Sequence, residues 1–186
     1  MRTRDPDTKR RLLLEAALAE FAARGVAGAR VEQIARRAGI SAGLVYSFYE
    51  NKDGLFEAVF DWIVEQAVST VPIDTADLGE YAGRLHDAGL AYPEVTRFIA
   101  WYELERGGPA ARRAATVAAM KAKVDAIADA QRQGAVSDRY PATELLALVL
   151  ALANMWQWQS GDYLDLVPAA WRRALIVDAV RQLAAP

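Results

Sequence analysis

The chain has 186 residues, of which 53% are hydrophobic and 25% are charged, a composition typical of folded globular proteins. It contains no cysteine, which excludes disulfides and thiolate metal sites. Its one histidine, His86, argues against a histidine-based metal centre or catalytic triad. We therefore expect neither a bound metal nor a cofactor.

Hydropathy argues against a membrane protein. No apolar run follows the charged first residues, so no signal peptide is visible. The longest apolar stretch, from Leu145 to Trp156, contains Asn154 and is too short to cross a bilayer. The sequence therefore predicts a cytoplasmic protein without a membrane partner.

The net charge of −2 conceals an uneven distribution. Up to Lys52 there are 10 Lys and Arg against 6 Asp and Glu, a balance of +4, and the remainder has 12 against 18, a balance of −6. A basic amino-terminal part on an acidic body suits a protein in which only that part meets a polyanion. The charge alone does not distinguish nucleic-acid binding from a chance division.

The predicted elements are all helices, because no segment alternates apolar and polar residues as a strand would. Gly or Pro stands at most helix boundaries, as at Gly25, Gly39 and Pro93. The fold class is therefore all-α, with about nine helices. We expect them at about 6–24, 31–38, 41–48, 51–70, 74–90, 93–106, 109–133, 141–160 and 168–184.

The segment from Val31 to Val45 has the pattern of a helix-turn-helix. Ala35 is small where two helices must cross, and Gly39 can adopt the positive φ that the turn needs. Ser41 can cap the second helix, which in this motif enters the major groove of DNA. Four apolar residues are spaced to bury a common face: Ile34, Ala38, Ile40 and Val45. An ordinary helical hairpin shows part of this pattern, so both readings remain open here.

Several linked motifs follow one another between about Thr8 and Phe60. They are Phe21-Ala22-Ala23-Arg24-Gly25, Ile34-Ala35, Ala38-Gly39-Ile40-Ser41, Gly43, Tyr46, Phe48-Tyr49 and Asn51-Lys52-Asp53-Gly54-Leu55. In this order they resemble the TetR family of transcriptional regulators. The rest of the chain is similar in helix number and length, and 92–103 resembles a sensor segment found in part of the family.

The resemblance implies two domains with different functions. Residues 1–52 would form a helix-turn-helix DNA-binding domain, and residues 53–186 would form a larger helical domain for ligand binding and dimerisation. The implied function is that of a bacterial transcriptional regulator, a repressor released from its palindromic double-stranded DNA operator by a small-molecule ligand.

The family's DNA-contacting positions also map onto this sequence. The hydroxyls of Ser41 and Tyr46 and the ammonium of Lys52 suit phosphate contacts, and Leu44 suits a thymine methyl group. Arg30 stands where a capping Ser or Thr is usual, so it loses the cap and offers a phosphate contact instead. The full set of expected DNA-binding residues is Arg30, Ser41, Ala42, Gly43, Leu44, Tyr46, Ser47 and Lys52. Arg36 and Arg37 could equally well contact DNA or form a solvated helix face. For Tyr46 the alternative to DNA contact is packing on the surface of the amino-terminal domain.

Aromatic residues gather in the body, where the family holds its ligand. The expected effector-binding residues are Trp62, Tyr81, Phe98, Trp101, Tyr102, Glu105 and Trp156, and Trp158 belongs to the same aromatic group. Acidic neighbours would favour a flat aromatic or cationic effector. Because aromatics at helical spacing are usually core, plain packing is the alternative. We expect His86 to be a partly exposed helix residue rather than a ligand contact.

The last two predicted helices are unusually apolar. They carry Leu145, Val149, Leu152, Trp156, Trp171, Leu175, Val180 and Leu183. The resemblance implies that they form a four-helix bundle with their copies in a homodimer, whereas burial in a monomer core is the alternative.

Two other classes of protein are alternatives to a DNA-binding regulator. An enzyme would need a convergent set of titratable groups, and no phosphate loop, metal spacing or His/Cys constellation is present. We therefore expect no enzymatic activity. The stronger rival is a helical dimeric interaction or scaffold protein without a ligand response, which would be favoured if the amino-terminal part failed to bind duplex DNA.

Overall fold

The computed structural model describes residues 6–107, 114–157, 159 and 161–186, and the regular elements in these ranges are all helices. They are α1 Pro6–Gly28, α2 Val31–Ala38, α3 Ala42–Phe48, α4 Lys52–Thr70, α5 Leu78–Ala91, α6 Pro93–Arg106, α7 Ala114–Arg132, α8 Ala142–Asn154, a 3-10 turn Met155–Gln157, α9 Gly161–Leu164 and α10 Ala169–Ala184. The predicted all-α class is confirmed. No helix in the described ranges is long and apolar enough to cross a membrane.

Helix boundaries follow the prediction closely in the first part of the chain and less closely after it. The bounds of α2 and α6 match those predicted. Helix α5 begins at Leu78, later than predicted, because the Asp77 side chain caps it by accepting a hydrogen bond from the Glu80 N–H at 3.0 Å. Helix α8 ends at Asn154, where the chain tightens into a 3-10 turn, and α9 was not predicted. The predicted start of α7 near 109 and the side chain of Trp158 lie outside the described residues.

By their contacts the residues group into two compact units that alternate along the chain. The first unit comprises Met1–Gln66 and Pro93–Arg113, and the second comprises Ala67–Tyr92 and Ala114–Pro186. Helix α4 continues from the first unit into the second, and Tyr92 alone separates α5 from α6. We call α1 to α3 the head.

The first unit has an aromatic core to which the head, α4 and α6 all contribute. The rings of Phe21 and Phe56 meet edge to face with centroids 5.0 Å apart, and Phe98 lies 4.8 Å from Phe56. The Tyr102 ring stacks on Phe60 at 3.9 Å, and such aromatic contacts add to the stability gained by burial. The head is therefore built on α4 and α6 through one core.

In the second unit, α5 packs against both α8 and α10. Gly79 and Gly83, four residues apart, face α10 so closely that a Cβ on Gly79 would lie 2.6 Å from the Val177 carbonyl oxygen. Two arginines of α10 flank this contact by pairing with acidic side chains of α5 and with its capping residue, Asp77. The pairs are Arg181 with Asp77 at 2.6 Å, Arg173 with Glu80 at 2.9 Å and Arg173 with Asp87 at 2.8 Å.

Candidate DNA-binding and effector-binding sites

The α2–α3 pair has the geometry of a helix-turn-helix. Gly39 has φ 69° and ψ 33°, the left-handed conformation expected of the turn, and the Ile40 N–H donates to the Ala35 carbonyl at 3.0 Å. Ile34 and Val45 are buried in the core of the first unit. The two short helices are therefore held by the apolar face that the sequence spacing predicts.

Ser41 caps α3 as expected. Its backbone is extended, with φ −79° and ψ 151°, and its Oγ accepts a hydrogen bond from the Leu44 N–H at 3.2 Å. Of the expected DNA-binding residues on α3, Gly43, Tyr46 and Ser47 are exposed. Ala42 and Leu44 are partly exposed. Helix α3 thus exposes Gly43, Tyr46 and Ser47, partly exposes Ala42 and Leu44, and buries Val45.

Gly43 has no role within the fold that would require glycine. A Cβ at this position would meet no atom within 4 Å, and the φ angle of Gly43 is not positive. Glycine inside a helix costs about 0.5–1 kcal/mol relative to alanine. Its presence on the exposed face of α3 is therefore unfavourable for the isolated head, and it permits close approach of another molecule.

The remaining expected DNA contacts on the head differ in what their side chains already bind. Arg30 is exposed and extended and makes no capping bond, as the sequence predicts. Ser47 Oγ donates its hydrogen to the Leu44 carbonyl at 2.8 Å, so in this rotamer it faces DNA only as an acceptor. Lys52 Nζ donates to the carbonyls of Ala27 and Ala29 at 3.3 and 3.1 Å, which leaves one of its three hydrogens for a phosphate. The sequence did not reveal this internal role of Lys52.

The expected effector-binding residues are divided between the two units. Trp62, Phe98, Trp101, Tyr102 and Glu105 belong to the first unit, and Tyr81 and Trp156 to the second. Phe98 and Tyr102 are buried in the aromatic core beneath the head, where the Tyr102 hydroxyl donates to Glu57 at 2.9 Å. Trp62 packs at the edge of that core.

Trp101 and Glu105, both on α6, lie against the end of α1. The Val26 N–H donates to Glu105 Oε1 at 3.1 Å. Gly25 has φ 65°, and a Cβ there would lie 2.8 Å from Glu105 Oε1 and 2.9 Å from Trp101 Cε3. These two side chains therefore support the head itself.

Tyr81 and Trp156 carry buried polar atoms that the protein leaves without a hydrogen bond. In the described part of the chain such atoms are the Tyr81 hydroxyl, His86 Nδ1, Thr116 Oγ1 and Trp156 Nε1. Buried polar groups are nearly always satisfied, so each is a candidate contact for a ligand or water. Arg172 lies over the Trp156 ring at 5.5 Å and Lys123 over the Tyr81 ring at 5.8 Å.

The prediction that His86 is partly exposed is wrong, because only 3% of its surface is accessible. Helix α5 is covered by both α8 and α10, so a position that would be peripheral on an ordinary surface helix is buried here. Desolvation lowers the pKa of His86, and its imidazole donates to the Ala153 carbonyl. A neutral ring bonded in this way leaves Nδ1 as an acceptor.

The apolar residues of α8 and α10 divide into an inner and an outer set. Leu145, Val149 and Val180 are fully buried in the second unit, and Trp156 lies with them. Trp171 and Leu175, one helical turn apart on α10, are 67% and 45% exposed. Burial in the core therefore holds for the inner set, and the outer set forms an apolar face that is exposed in the described part of the chain.

Comparisons with known proteins agree on one family. The model of a family described as "Bacterial regulatory proteins, tetR family" matches residues 13–59, and a second, described as "Tetracyclin repressor-like, C-terminal domain", matches residues 77–182. The HTH-type transcriptional repressor SCO4008 of Streptomyces coelicolor is 37% identical over 155 residues, which are 83% of this chain and 81% of the repressor.

Solved structures have the same fold. The transcriptional regulator SCO4942 of Streptomyces coelicolor is 32% identical, with a TM-score of 0.83 over 95% of this chain and 98% of its own. FadR of Bacillus subtilis, solved in complex with stearoyl-CoA, is 14% identical, with a TM-score of 0.68 over 94% of this chain and 97% of its own. At that identity the likeness to FadR concerns the fold alone.

Proposed function

The chain belongs to the TetR family of bacterial regulatory proteins and is a DNA-binding transcriptional regulator rather than an enzyme, and on this premise we propose that it is a repressor that a small molecule releases from a palindromic operator. Members of this family bind DNA operators and small-molecule effectors and act as dimers. The observation that carries the proposal is the exposed face of α3. Ser41 caps this helix, and Gly43 leaves space on its exposed face for another molecule.

The proposed DNA contacts are the eight residues expected from the sequence. The capped amino end of α3 has unpaired N–H groups and a partial positive charge, which suit a phosphate or a base edge. Gly43 lets the α3 backbone approach the groove, and Tyr46, which is 50% exposed, brings a hydroxyl to its side. Arg30 and Lys52 flank the helix with positive charge.

The proposed dimer uses the outer apolar face of the second unit. Trp171 and Leu175 expose large hydrophobic surfaces on α10, and α8 exposes the small residues Ala147 and Ala151. A second copy is the occupant that family membership favours, because a two-fold axis brings the same face of each copy together. Aromatic anchors against small residues permit close helix packing in such a bundle.

Binding-site selection from random duplex DNA, together with sizing at micromolar concentration, tests operator and dimer together. We expect a dimer that selects an imperfect palindrome, with half-site centres about 34–36 Å apart so that both α3 helices enter successive major grooves. Trp171→Ser should shift the sizing profile toward the monomer and weaken operator binding. A wild-type monomer, or a selected site without dyad symmetry, would contradict the proposal.

Of the seven residues expected from the sequence, Tyr81 and Trp156 are the proposed effector contacts in the second unit, with His86 added, and the five in the first unit stay predictions. In the second unit, Tyr81 and Trp156 offer hydrogen-bond donors and His86 offers an acceptor, each from a buried position. This set favours a largely apolar or aromatic effector with a few polar groups over a highly charged one. Glu105 is already bonded to Val26, which weakens the case for a cationic effector held by that carboxylate.

The effector proposal is tested by reciprocity. A panel of small aromatic and amphiphilic compounds is screened by quenching of tryptophan fluorescence, and the affinity of each hit is measured with and without operator DNA. A coupling of about 1–3 kcal/mol would make operator weaken the hit roughly 5- to 150-fold, and the hit weaken operator by the same factor. Equal affinities for every hit would indicate a scaffold without a ligand response.

A further inference from the structure

The last turn of α1, after a kink at Gly25, leads into α2 in the head. Gly25 leaves the path of α1 with φ 65° and ψ 178°, and the Ala29 N–H donates to the Gly25 carbonyl at 3.2 Å. We call residues 25–29 the interhelical turn. Because only Arg30 lies between this turn and the first residue of α2, the direction of the turn sets the direction in which α2 and then α3 leave α1.

Two side chains of opposite charge hold the interhelical turn at its two ends. At its beginning, Glu105 of α6 accepts a hydrogen bond from the Val26 N–H at 3.1 Å. At its end, Lys52 of α4 donates to the Ala27 and Ala29 carbonyls. A helical turn is partially positive at its N–H end and partially negative at its carbonyl end, so each charge lies where it is attracted.

Helix α6 also closes the space around the turn and reaches α4. A Cβ on Gly25 would collide with both Glu105 and Trp101, so α6 is in direct contact with the turn's backbone. Arg106, the next residue of α6, pairs with Glu57 of α4 at 3.4 Å. A displacement of α6 would therefore move the interhelical turn and the first half of α4 at the same time.

We propose that Glu105 is a positioning residue for DNA binding, whose carboxylate orients α2 and α3 through the interhelical turn. Operator affinity then depends on the position of α6, although Glu105 is not on the exposed face of α3. Tyr92 alone separates α6 from α5, the helix that carries Tyr81 and His86. The inference requires that the head binds DNA, but it does not depend on the proposed effector site.

The test compares three variants on a duplex selected by the wild-type protein. Glu105→Ala removes the acceptor and should weaken operator binding about tenfold, the scale of a hydrogen bond to a charged group. Glu105→Gln keeps an acceptor oxygen and should restore most of the affinity. Glu103→Ala removes an exposed carboxylate from the same helix and should bind as the wild type does.

Hydrogen exchange at the Val26 amide separates positioning from general stability. We expect this amide to be protected in the wild type and in Glu105→Gln and to exchange at least about tenfold faster in Glu105→Ala, with the rest of the core unchanged. Operator should further slow Val26 exchange in the wild type, a measurement that stands even if Glu105→Ala fails to fold. Wild-type operator affinity in Glu105→Ala, an equal loss in Glu105→Gln, or Val26 exchange that operator leaves unchanged would overturn the assignment.

Discussion

Glycines occupy two helices of this protein for opposite reasons. On α3, Gly43 faces solvent and a Cβ there would touch nothing. On α5, Gly79 and Gly83 face α10 so closely that a Cβ on either would collide with the Val177 residue. In α5, glycine thus permits a helix contact that is present within the fold. In α3, glycine leaves room for a contact with another molecule.

The polar and charged groups near these glycines differ as well. Beside Gly79 and Gly83, the carboxylates of Glu80 and of the capping residue Asp77 are paired with Arg173 and Arg181. Beside Gly43, helix α3 carries no charged side chain, and its polar residues Tyr46 and Ser47 are exposed and pair with no residue of another helix within the described part of the chain. A helix whose glycines and charges pack or pair inside the chain has a structural role, whereas an exposed glycine without a packing role favours a partner outside the chain, which we propose is DNA.

The largest expected effect is the loss of stability in Gly79→Ala. The new methyl group would meet the Val177 carbonyl oxygen at 2.6 Å, and backbone cannot move aside as a flexible side chain can. Overpacking costs about 1–3 kcal/mol, which exceeds the roughly 1 kcal/mol that alanine gains in a helix. Chemical denaturation at one fixed protein concentration should show the loss, and Gly43→Ala, the matched control, should show none. Equal stability of the two variants would remove the distinction between α5 and α3.

Gly43→Ala should lower operator affinity about tenfold while leaving stability equal to or above that of the wild type. The added methyl group meets no atom of the protein and stands between the α3 backbone and the major groove. Fluorescence anisotropy with a labelled operator measures the affinity, and a thermal scan measures the stability. If affinity were unchanged, α3 would not approach DNA closely at this residue.

Tyr46→Phe should weaken operator binding about fivefold, because it removes one hydroxyl contact worth about 1 kcal/mol. Tyr92→Phe is the matched control, since Tyr92 is 53% exposed against 50% for Tyr46 and lies outside the head. The same anisotropy titration serves both variants. A loss of equal size in the control would show that the effect does not report a DNA contact.

The smallest expected effect is the pH dependence of the α5–α10 pairs. A hydrogen bond from Arg181 lowers the pKa of Asp77, and one from Arg173 lowers the pKa of Glu80. A carboxyl with a lowered pKa in the folded state stabilises the fold above its ordinary pKa, and this contribution is lost as the pH falls through the folded-state pKa. Asp77→Asn removes the charge but preserves the cap of α5.

Urea titrations of the wild type and Asp77→Asn at two pH values measure this contribution. The variant should be less stable than the wild type at pH 7, and the difference should shrink as the pH falls through the lowered folded-state pKa of Asp77 and vanish below it, where the carboxyl is protonated in both states. A difference of the same size at both pH values would show that the pairing with Arg181 does not contribute.

The sequence predicted the head better than the rest because local signals determine its structure. Gly39 and Ser41 act on their own neighbours, as a turn residue and a cap, so the bounds of α2 and α3 could be predicted from spacing. In the second unit, the burial of His86 depends on two helices packing on α5 from elsewhere in the chain. No periodicity within α5 contains that information.

The same limit applies to the candidate sites. The exposed face of α3 follows from helical spacing, whereas the bonds of Lys52 to Ala27 and of Glu105 to Val26 join residues far apart in sequence. Both side chains were expected to bind a partner, and the structure shows each bonded to the interhelical turn. Long-range contacts of this kind require the three-dimensional arrangement.

The salt dependence of operator binding tests most directly whether the head of this regulator grips the phosphates of duplex DNA. The affinity of the wild type for its selected duplex is measured from about 50 to about 300 mM KCl. Each neutralised phosphate contributes about −0.9 to the slope of the logarithm of the association constant against the logarithm of the salt concentration. Two heads with at least two phosphate contacts each predict a slope steeper than about −3. The account would be contradicted by a slope near zero together with an operator affinity that is the same in the wild type and in Tyr46→Phe.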